Sequence, residues 1–477
     1  MHRMPRALAI LVLTLLAGIS SLAATAHARV FVYNAVISAK QETPVNATTG
    51  SGGGYFVIDT DANTVNFWIS FAGLSSPENA AHIHGFAGPG TPAGVVFGLP
   101  AGNPKVGTWN YVEGQEASIL AGLCYVNIHT NNNPGGEIRG QIVPLNALVD
   151  AAQETPTNAS AGSGWMTATI DTVANTISYY LAYSGLSGAV NAAHFHGNAN
   201  YGQGPAGVKV GITVTASPMT GTVGYNQADE GAILGGLWYV NLHTAANPGG
   251  EIRGQLSPRV VPMDAVQETP ANAALTSSGY ALVAIDTGAN MLGYDVHITA
   301  LSGAEIAAHI HGYAPLGMNG GVLQTLPIAA RKLGTWAYPA ANEPDVLLGR
   351  TYFNSHTGAN PGGEIRGQIL FLPGAEALLG VGGPPRALPG LAAAPNPFMG
   401  RTSLTFNLAR TGTVSLAIMS VDGRRVRSVE PALFAPGPHS YEWDGLDDEG
   451  RAVAPGVYFA VVHLPDGDIT TRLARLH

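Results

Sequence analysis

A single cysteine among 477 residues, Cys124, excludes any internal disulfide and argues against a lipid-modified N-terminus, since it does not follow the apolar leader. Charge is scarce too. Only 11% of residues are Asp, Glu, Lys or Arg, and 22 basic against 31 acidic residues leave a formal net charge of −9. A chain so poor in cations has nothing with which to neutralise a phosphate backbone, so we expect no nucleic-acid partner. After the first residues there is no unbroken apolar run of about 18, the length a helix needs to cross a bilayer, so the mature chain is expected to carry no transmembrane segment. Amphipathic helical periodicity of useful length is also missing. Without disulfides, the protein must stand on its cores, its repeats or bound ions.

What the chain does have is 46% hydrophobic residues, 62 glycines and 32 prolines. That mixture is too apolar for disorder and suits many short strands joined by tight turns. At the N-terminus, Arg3 and Arg6 precede an apolar run from Ala7 to Leu22, and Ala26-His27-Ala28 places small residues where a signal peptidase reads. Residues 1–28 are therefore expected to be a signal peptide cleaved near Ala28, sending the protein to the outer cell surface or the medium.

Self-similarity sets the organisation. Gln-Glu-Thr-Pro occurs at Gln41, Gln153 and Gln267, and Ala-Ala-His-(Ile/Phe)-His-Gly at Ala80, Ala192 and Ala307. A longer segment follows each: YVNIHTNNNPGGEIRGQ from Tyr125, YVNLHTAANPGGEIRGQ from Tyr239 and YFNSHTGANPGGEIRGQ from Tyr352. Units this long are whole domains, expected at 29–147, 148–260 and 261–372. Residues 373–394, rich in Pro, Gly and Ala, read as a linker, and 395–477 as a smaller unit with Asp422-Gly423 at a hairpin turn. Inside the repeats, Phe67, Ile69 and Phe71 alternate with polar residues, as do Tyr179, Leu181 and Tyr183, and Tyr294, Val296 and Ile298. Period two with aromatic and β-branched residues marks half-buried strands. The expected fold is all-β: three tandem antiparallel β-sandwich domains plus a smaller C-terminal immunoglobulin-like β-sandwich.

Nine of the 15 histidines fall in the recurring segments. Residues two apart on a strand share a face, so His82 and His84 point one way, and Tyr125, Asn127 and His129 do likewise on theirs. If the two strands are neighbours, the rings of His82, His84 and His129 converge, and so do those of His194, His196 and His243, and of His309, His311 and His356. Three neutral imidazoles without thiolate suit a divalent transition metal such as zinc or copper and leave one coordination position open. The competing reading has these rings hydrogen-bonding loop carbonyls. Glu137 and Arg139, Glu251 and Arg253, and Glu364 and Arg366 recur on one strand face; a structural ion-pair ladder is expected, with an anion-binding arginine beside a metal as the functional alternative. Glu42, Glu154 and Glu268 are expected at strand edges or turns, and the unrepeated His297 on an exposed strand face.

The QETP start, the AAHIHG segment and the YVNIHT…NPGGEIRGQ ending resemble the CHRD domain, a module named for its occurrence in chordin and found in exported bacterial proteins. The resemblance spans Arg29 to about Leu372 in three copies and implies extracellular β-rich binding modules. PNPF at Pro395, VDGRRV at Val421, WDGLDDEG at Trp443 and APGVYF at Ala454 resemble the FlgD immunoglobulin-like domain and the sorting tails of type IX secretion, which implies export or surface attachment. Two function classes follow. One is a non-enzymatic surface or secreted binding protein for an extracellular protein or matrix ligand, its contacts built on the loops at Phe86 to Pro92, Asn198 to Pro205 and Tyr313 to Gly320. The other is a copper/zinc enzyme, because an HxH strand with a later histidine resembles Cu/Zn superoxide dismutase; the smaller histidine set, the absence of a regular aspartate and the missing disulfide oppose it.

Overall fold

The computed structural model describes residues 30–371 and 391–476, apart from 61, 397, 409, 410, 422, 436, 465 and 466. The expected signal peptide, most of the expected linker and Asp422 lie outside them. Each repeat folds as one eight-stranded antiparallel sheet. In the first the strands are β1 (Val30–Ser38), β2 (Ser51–Asp59), β3 (Thr64–Ala72), β4 (Glu78–Gly85), β5 (Val95–Gly98), β6 (Lys105–Asn110), β7 (Cys124–Thr130) and β8 (Ile138–Gln141). Their spatial order is β5-β4-β7-β8-β1-β2-β3-β6, and the second and third repeats reproduce it. A single short helix, α1 (Glu116–Leu120), precedes β7, with counterparts at Glu230–Leu234 and Glu343–Leu347. The sheet curls until its two ends meet through side chains. Phe97 of β5 stacks on Trp109 of β6 at 6.1 Å between ring centroids, and the edge of Phe67 closes the same cluster.

The alternation read from the sequence fills this core. Phe67, Ile69 and Phe71 are buried, as are Tyr179, Leu181, Tyr294 and Val296, whereas Tyr183 and Ile298 at the corresponding strand ends are half-buried. Ile83, Val126 and Ile128 are fully buried between the histidines. Burying each contributes about 1.5–3 kcal/mol, and a one-residue slip would exchange them for imidazoles, so the register is strongly held. Gly73 and Gly185 have φ of +73° and +72°, which accounts for glycine at these corners.

The three repeats pack against one another through equivalent positions. Leu145–Asp150 and Arg259–Asp264 are the first strands of the second and third sheets, so these repeats begin a few residues before the expected 148 and 261. Around the centre, Asn146 Nδ2 donates to the Asn34 carbonyl (3.2 Å), Asn34 Nδ2 to the Pro258 carbonyl (2.8 Å), and Val260 N to Asn34 Oδ1 (3.0 Å). Farther out, Lys40 of the first repeat reaches Ser163 of the second (3.0 Å), Asp150 of the second meets Arg331 of the third (3.0 Å), and Asp264 of the third returns to the first. One side of each repeat thus faces the next, and the contacts close into a ring with an approximate threefold relation. Asp264 accepts from Trp68 Nε1 (2.8 Å) and Ser70 Oγ (2.6 Å). Asp264→Ala strands both donors at the seam, and we expect a loss of about 2 kcal/mol in urea unfolding of the full chain. An unchanged midpoint would show that this contact is idle in solution.

Two expectations are corrected here. His297 is not a plain exposed strand residue: its ring lies flat on Tyr280 at 4.9 Å, and Nε2 is 2.9 Å from Asp295 Oδ1, which Arg331 also holds. The loop at Asn198 to Pro205 does not build outward contacts alone, because Tyr201 is buried, its hydroxyl 2.5 Å from Ser257 Oγ, and it packs over Gly293 of the third repeat. Similarly, Gly90 in the loop of the first repeat abuts Tyr180 of the second.

The C-terminal unit is a small two-sheet sandwich of three and four strands around fully buried Trp443. Its first strand, Ala392–Ala394, pairs with Thr402–Leu408, so the end of the stretch read as linker already belongs to this domain. Along Gly412–Ser420 and Gly456–Leu464, one face feeds the domain's own core through Leu416, Ile418, Ala460 and Val462. The other face, with Ala417, Met419 and Phe459, joins the core of the third repeat beside Val346 and Leu347, and Arg472 pairs with Glu343 across the boundary. Among the described residues no helix is long and apolar enough to cross a membrane.

Candidate metal centre

Strand β4 pairs directly with β7, which is the condition for the histidines to meet. The register sets His84 opposite Tyr125, His82 opposite Asn127 and Ala80 opposite His129, and the other repeats reproduce this with His196, His194 and His243, and with His311, His309 and His356. The rings of His82, His84 and His129 lie 5.1–5.8 Å apart. In each repeat one nitrogen from each ring lies within 4.8 Å of the other two. All nine histidines predicted for the sites are brought together in this way.

Hydrogen bonds settle which nitrogen two rings of each trio offer. His84 Nδ1 donates to the Ala93 carbonyl (2.9 Å) and His129 Nδ1 to the Pro134 carbonyl (3.0 Å). A carbonyl can only accept, so both rings carry their proton on Nδ1 and turn a bare Nε2 inward. His196 and His243 do the same with Ala206 and Pro248, and His311 and His356 with Gly320 and Pro361. His82 Nδ1 lies 3.3 Å from His129 Nε2, with 3.3 and 3.1 Å in the other repeats. The buried Nε2 of His84, His196 and His311 has no hydrogen-bond partner. Carbonyl bonding and metal ligation are therefore not rivals. A bond to the far nitrogen is how a metal-ligating histidine is normally oriented.

Burial disfavours the charged form in seven of the nine rings. Burial pulls His84 and His129 below the ordinary imidazole range, outweighing their carbonyl bonds, and it does the same for His196, His243, His309, His311 and His356. Behind His84 the Tyr125 ring stacks at 5.1 Å and 11°, and the Arg139 guanidinium lies 3.5 Å from the centroid of the same tyrosine. Since β4 and β8 flank β7 on opposite sides, the imidazole and the guanidinium take opposite faces of the phenol ring, and the arginine's charge adds to the cost of protonating His84. Three convergent ring nitrogens, two of them on rings of fixed tautomer and one of those buried without a partner, fit a zinc or copper ion with a fourth position left over.

The recurring sequence and the sheet built from it have known counterparts. The CHRD domain profile matches residues 33–142, 145–256 and 260–369, which is most of the chain. The chain belongs to the CHRD domain family. The FlgD Ig-like domain profile matches 396–468. Chordin from Danio rerio is 30% identical over 154 residues, covering 28% of this chain and 16% of that protein. Chordin from Xenopus laevis is 31% identical over 169 residues, covering 30% and 17%. The chain thus spans only about a sixth of these relatives' length. Among solved structures, the crystal structure of dimeric latent PorU from Porphyromonas gingivalis covers 64% of this chain and 32% of its own at 11% identity, with a TM-score of 0.17 that carries no argument.

Within each CHRD domain the Glu–Arg ladder is not what forms. Glu137 precedes β8 and turns to the corner after β3, accepting from Ser75 N (2.6 Å), Ser75 Oγ (2.8 Å), Thr130 Oγ1 (2.6 Å) and Asn133 Nδ2 (3.1 Å). Glu251 is held by Ser160, Ser187 and Thr244, and Glu364 by Ser277, Ser302, Thr357 and Asn360. Burial pushes each of the three up, but this donor set outweighs it, leaving Glu137 below its usual value and Glu251 and Glu364 at about 2. Arg139, Arg253 and Arg366 are almost fully buried, lie on Tyr125, Tyr239 and Tyr352, and donate to loop carbonyls such as Gly88, Gln203 and Met318. They brace the tyrosine behind the second histidine. Glu42, Glu154 and Glu268 lie at the expected turns, each just after a short 3-10 turn, and all three are buried there. Tyr125 and Asn127 had no role legible from alternation alone, although both recur in every repeat at fixed spacing from the third histidine.

Proposed function

We propose that this protein is an exported or surface-held binding protein in which every CHRD domain holds one divalent transition-metal ion, zinc or copper, through its three histidines. The observation that carries the reading is the threefold recurrence of nitrogens within 4.8 Å of one another, with an orphaned Nε2 in each set. Bound there, the ion would supply an open coordination position to a carboxylate or imidazole of an extracellular protein or matrix ligand. His82, His84 and His129 would hold it, Ala93 and Pro134 would fix the ring orientations, and the Tyr125–Arg139 stack would keep His84 in place. The FlgD Ig-like domain and the relationship to chordin support an extracellular setting.

A binding role is favoured over catalysis because, among the described residues, each cluster comprises histidines alone, with no carboxylate in the set. Metal analysis of the purified protein, with a dismutase assay beside it, separates the two readings. We expect about three ions per chain and no turnover. Stoichiometric copper with dismutase activity that disappears in a His84→Ala, His196→Ala, His311→Ala variant would instead establish the enzyme.

A further inference from the structure

Each CHRD domain contains a second set of buried atoms that its histidines do not explain. Glu42 Oε1 and Asn127 Oδ1 have no hydrogen-bond partner, and the same holds for Glu154 Oε1 with Asn241 Oδ1 and Glu268 Oε1 with Asn354 Oδ1. All six side chains are at most 7% exposed. An unpaired buried polar atom costs about 1–3 kcal/mol, so the same two orphans in three domains demand a cause.

The second glycine of the Asn-Pro-Gly-Gly hairpin brings these groups together. Gly136, Gly250 and Gly363 have φ of +130°, +131° and +133°. The point where a Cβ would stand on Gly136 is 2.5 Å from Asn127 Oδ1 and 2.8 Å from Glu42 Oε1; the distances are 2.7 and 2.8 Å at Gly250, and 2.7 and 2.7 Å at Gly363. On the other side of the contact, Asn241 Nδ2 donates to Glu154 Oε2 and Asn354 Nδ2 to Glu268 Oε2, each at 3.4 Å. In the second and third domains the carboxyl and the amide therefore share one N–H, and in all three domains two acceptor oxygens are left facing the same glycine. Two lone-pair oxygens repel, and a single proton on the glutamate oxygen satisfies both.

We propose that Glu42, Glu154 and Glu268 are neutral carboxylic acids in the native protein, each closing a cyclic acid–amide pair with Asn127, Asn241 or Asn354, and that this pair positions the hairpin whose proline carbonyl orients the third histidine. Pro134 and Gly136 belong to one turn, so whatever fixes Gly136 also fixes the acceptor of His129. The service to the histidines rests on the metal-binding reading; the acid–amide pair does not.

The surrounding charges agree. Burial is the largest influence and raises each acid to about 7, against the lowering effect of Arg139, Arg253 or Arg366 and of a bond from the following backbone or the asparagine. Each arginine lies on its tyrosine and bonds loop carbonyls and a glutamine, so it attracts from a distance. Asp150 and Asp264 add negative charge near Glu154 and Glu268 and raise them further. Because the folded value lies above the unfolded one of about 4.3, the native state holds the proton more tightly, and stability falls as pH rises from about 4.3 to 7.

The test is a carbon-13 NMR titration of glutamate-labelled, metal-free full chain, beside the Glu42→Gln, Glu154→Gln, Glu268→Gln variant. We expect three carboxyl resonances titrating near pH 7 in the wild type. In the variant, where glutamine supplies the missing donor, those three are gone, the melting temperature at about pH 6 is retained and the amide signals of Gly136, Gly250 and Gly363 no longer shift between about pH 6 and 8. Glutamates that all titrate below about pH 5 in the wild type would overturn the proposal without recourse to any variant. So would a folded glutamine variant whose glycine amide signals shift with pH as before. Since no metal is present, either outcome stands whether or not the histidines bind one.

Discussion

Replacing His84, His196 and His311 by alanine together is expected to weaken zinc binding at every site by at least about 100-fold, since even an outer partner of a metal ligand is commonly worth 10–100-fold. These three supply the Nε2 that is buried and without a partner, so they have the least structural employment of their own. Each does donate from Nδ1 to a loop carbonyl at 2.9–3.0 Å, a bond whose removal costs about 1 kcal/mol and leaves a fold able to report on binding. Competition against a chromophoric chelator gives the affinity and stoichiometry. Wild-type protein should take up about three ions and the single variant His84→Ala about two, while His297→Ala, which alters only the seam between repeats, should leave three. Retention of all three ions in the triple variant would mean that the converged rings are a hydrogen-bonded brace and nothing more.

Glu364→Gln should destabilise the third CHRD domain by about 3 kcal/mol at neutral pH, because a carboxylate accepting several charge-assisted bonds is replaced by an amide that faces the same donors with an N–H. The sign of its pH dependence follows from the lowered value of Glu364. The folded acid sits at about 2, below the unfolded value of about 4.3, so its stabilisation is complete above the unfolded value and is lost as pH falls through the folded one. The difference between wild type and variant in urea unfolding should therefore be full at about pH 7, shrink below about pH 4 and close near pH 2. Glu251→Gln should behave in the same way in the second domain, where the acid also sits at about 2. A difference that stays constant from pH 7 to about pH 2 would show that the carboxylate's charge is not what the serines and threonines recognise.

Much of the candidate site was legible because strand alternation is local. His82 and His84 share a face whatever the rest of the chain does, and the fully buried Ile83 shows that the other face went to the core. Adjacency of the two histidine strands was the conditional step, and the register of His82 with Asn127 supplied it. The ladder failed for a physical reason: alternation places Glu137 and Arg139 on one side but says nothing of Ser75, whose backbone and hydroxyl outbid the arginine for that carboxylate. His297 was misread because its partners come from a neighbouring strand and, through Arg331, from another repeat.

The sequence by itself determined the three repeats, their antiparallel strands, the polar face that carries each histidine trio and the membership of the family. Those properties depend on period-two patterning and turn chemistry, which act over a few residues. Only the tertiary structure decided that the repeats close on one another around Asn34, Asn146 and Val260, that the C-terminal domain lends Met419 and Phe459 to the third core, and that Glu42 and Asn127 are buried face to face. Each of these depends on which surfaces meet across a hundred or more residues, where the deciding terms are desolvation and shape, and neither is written in the spacing of residues along the chain.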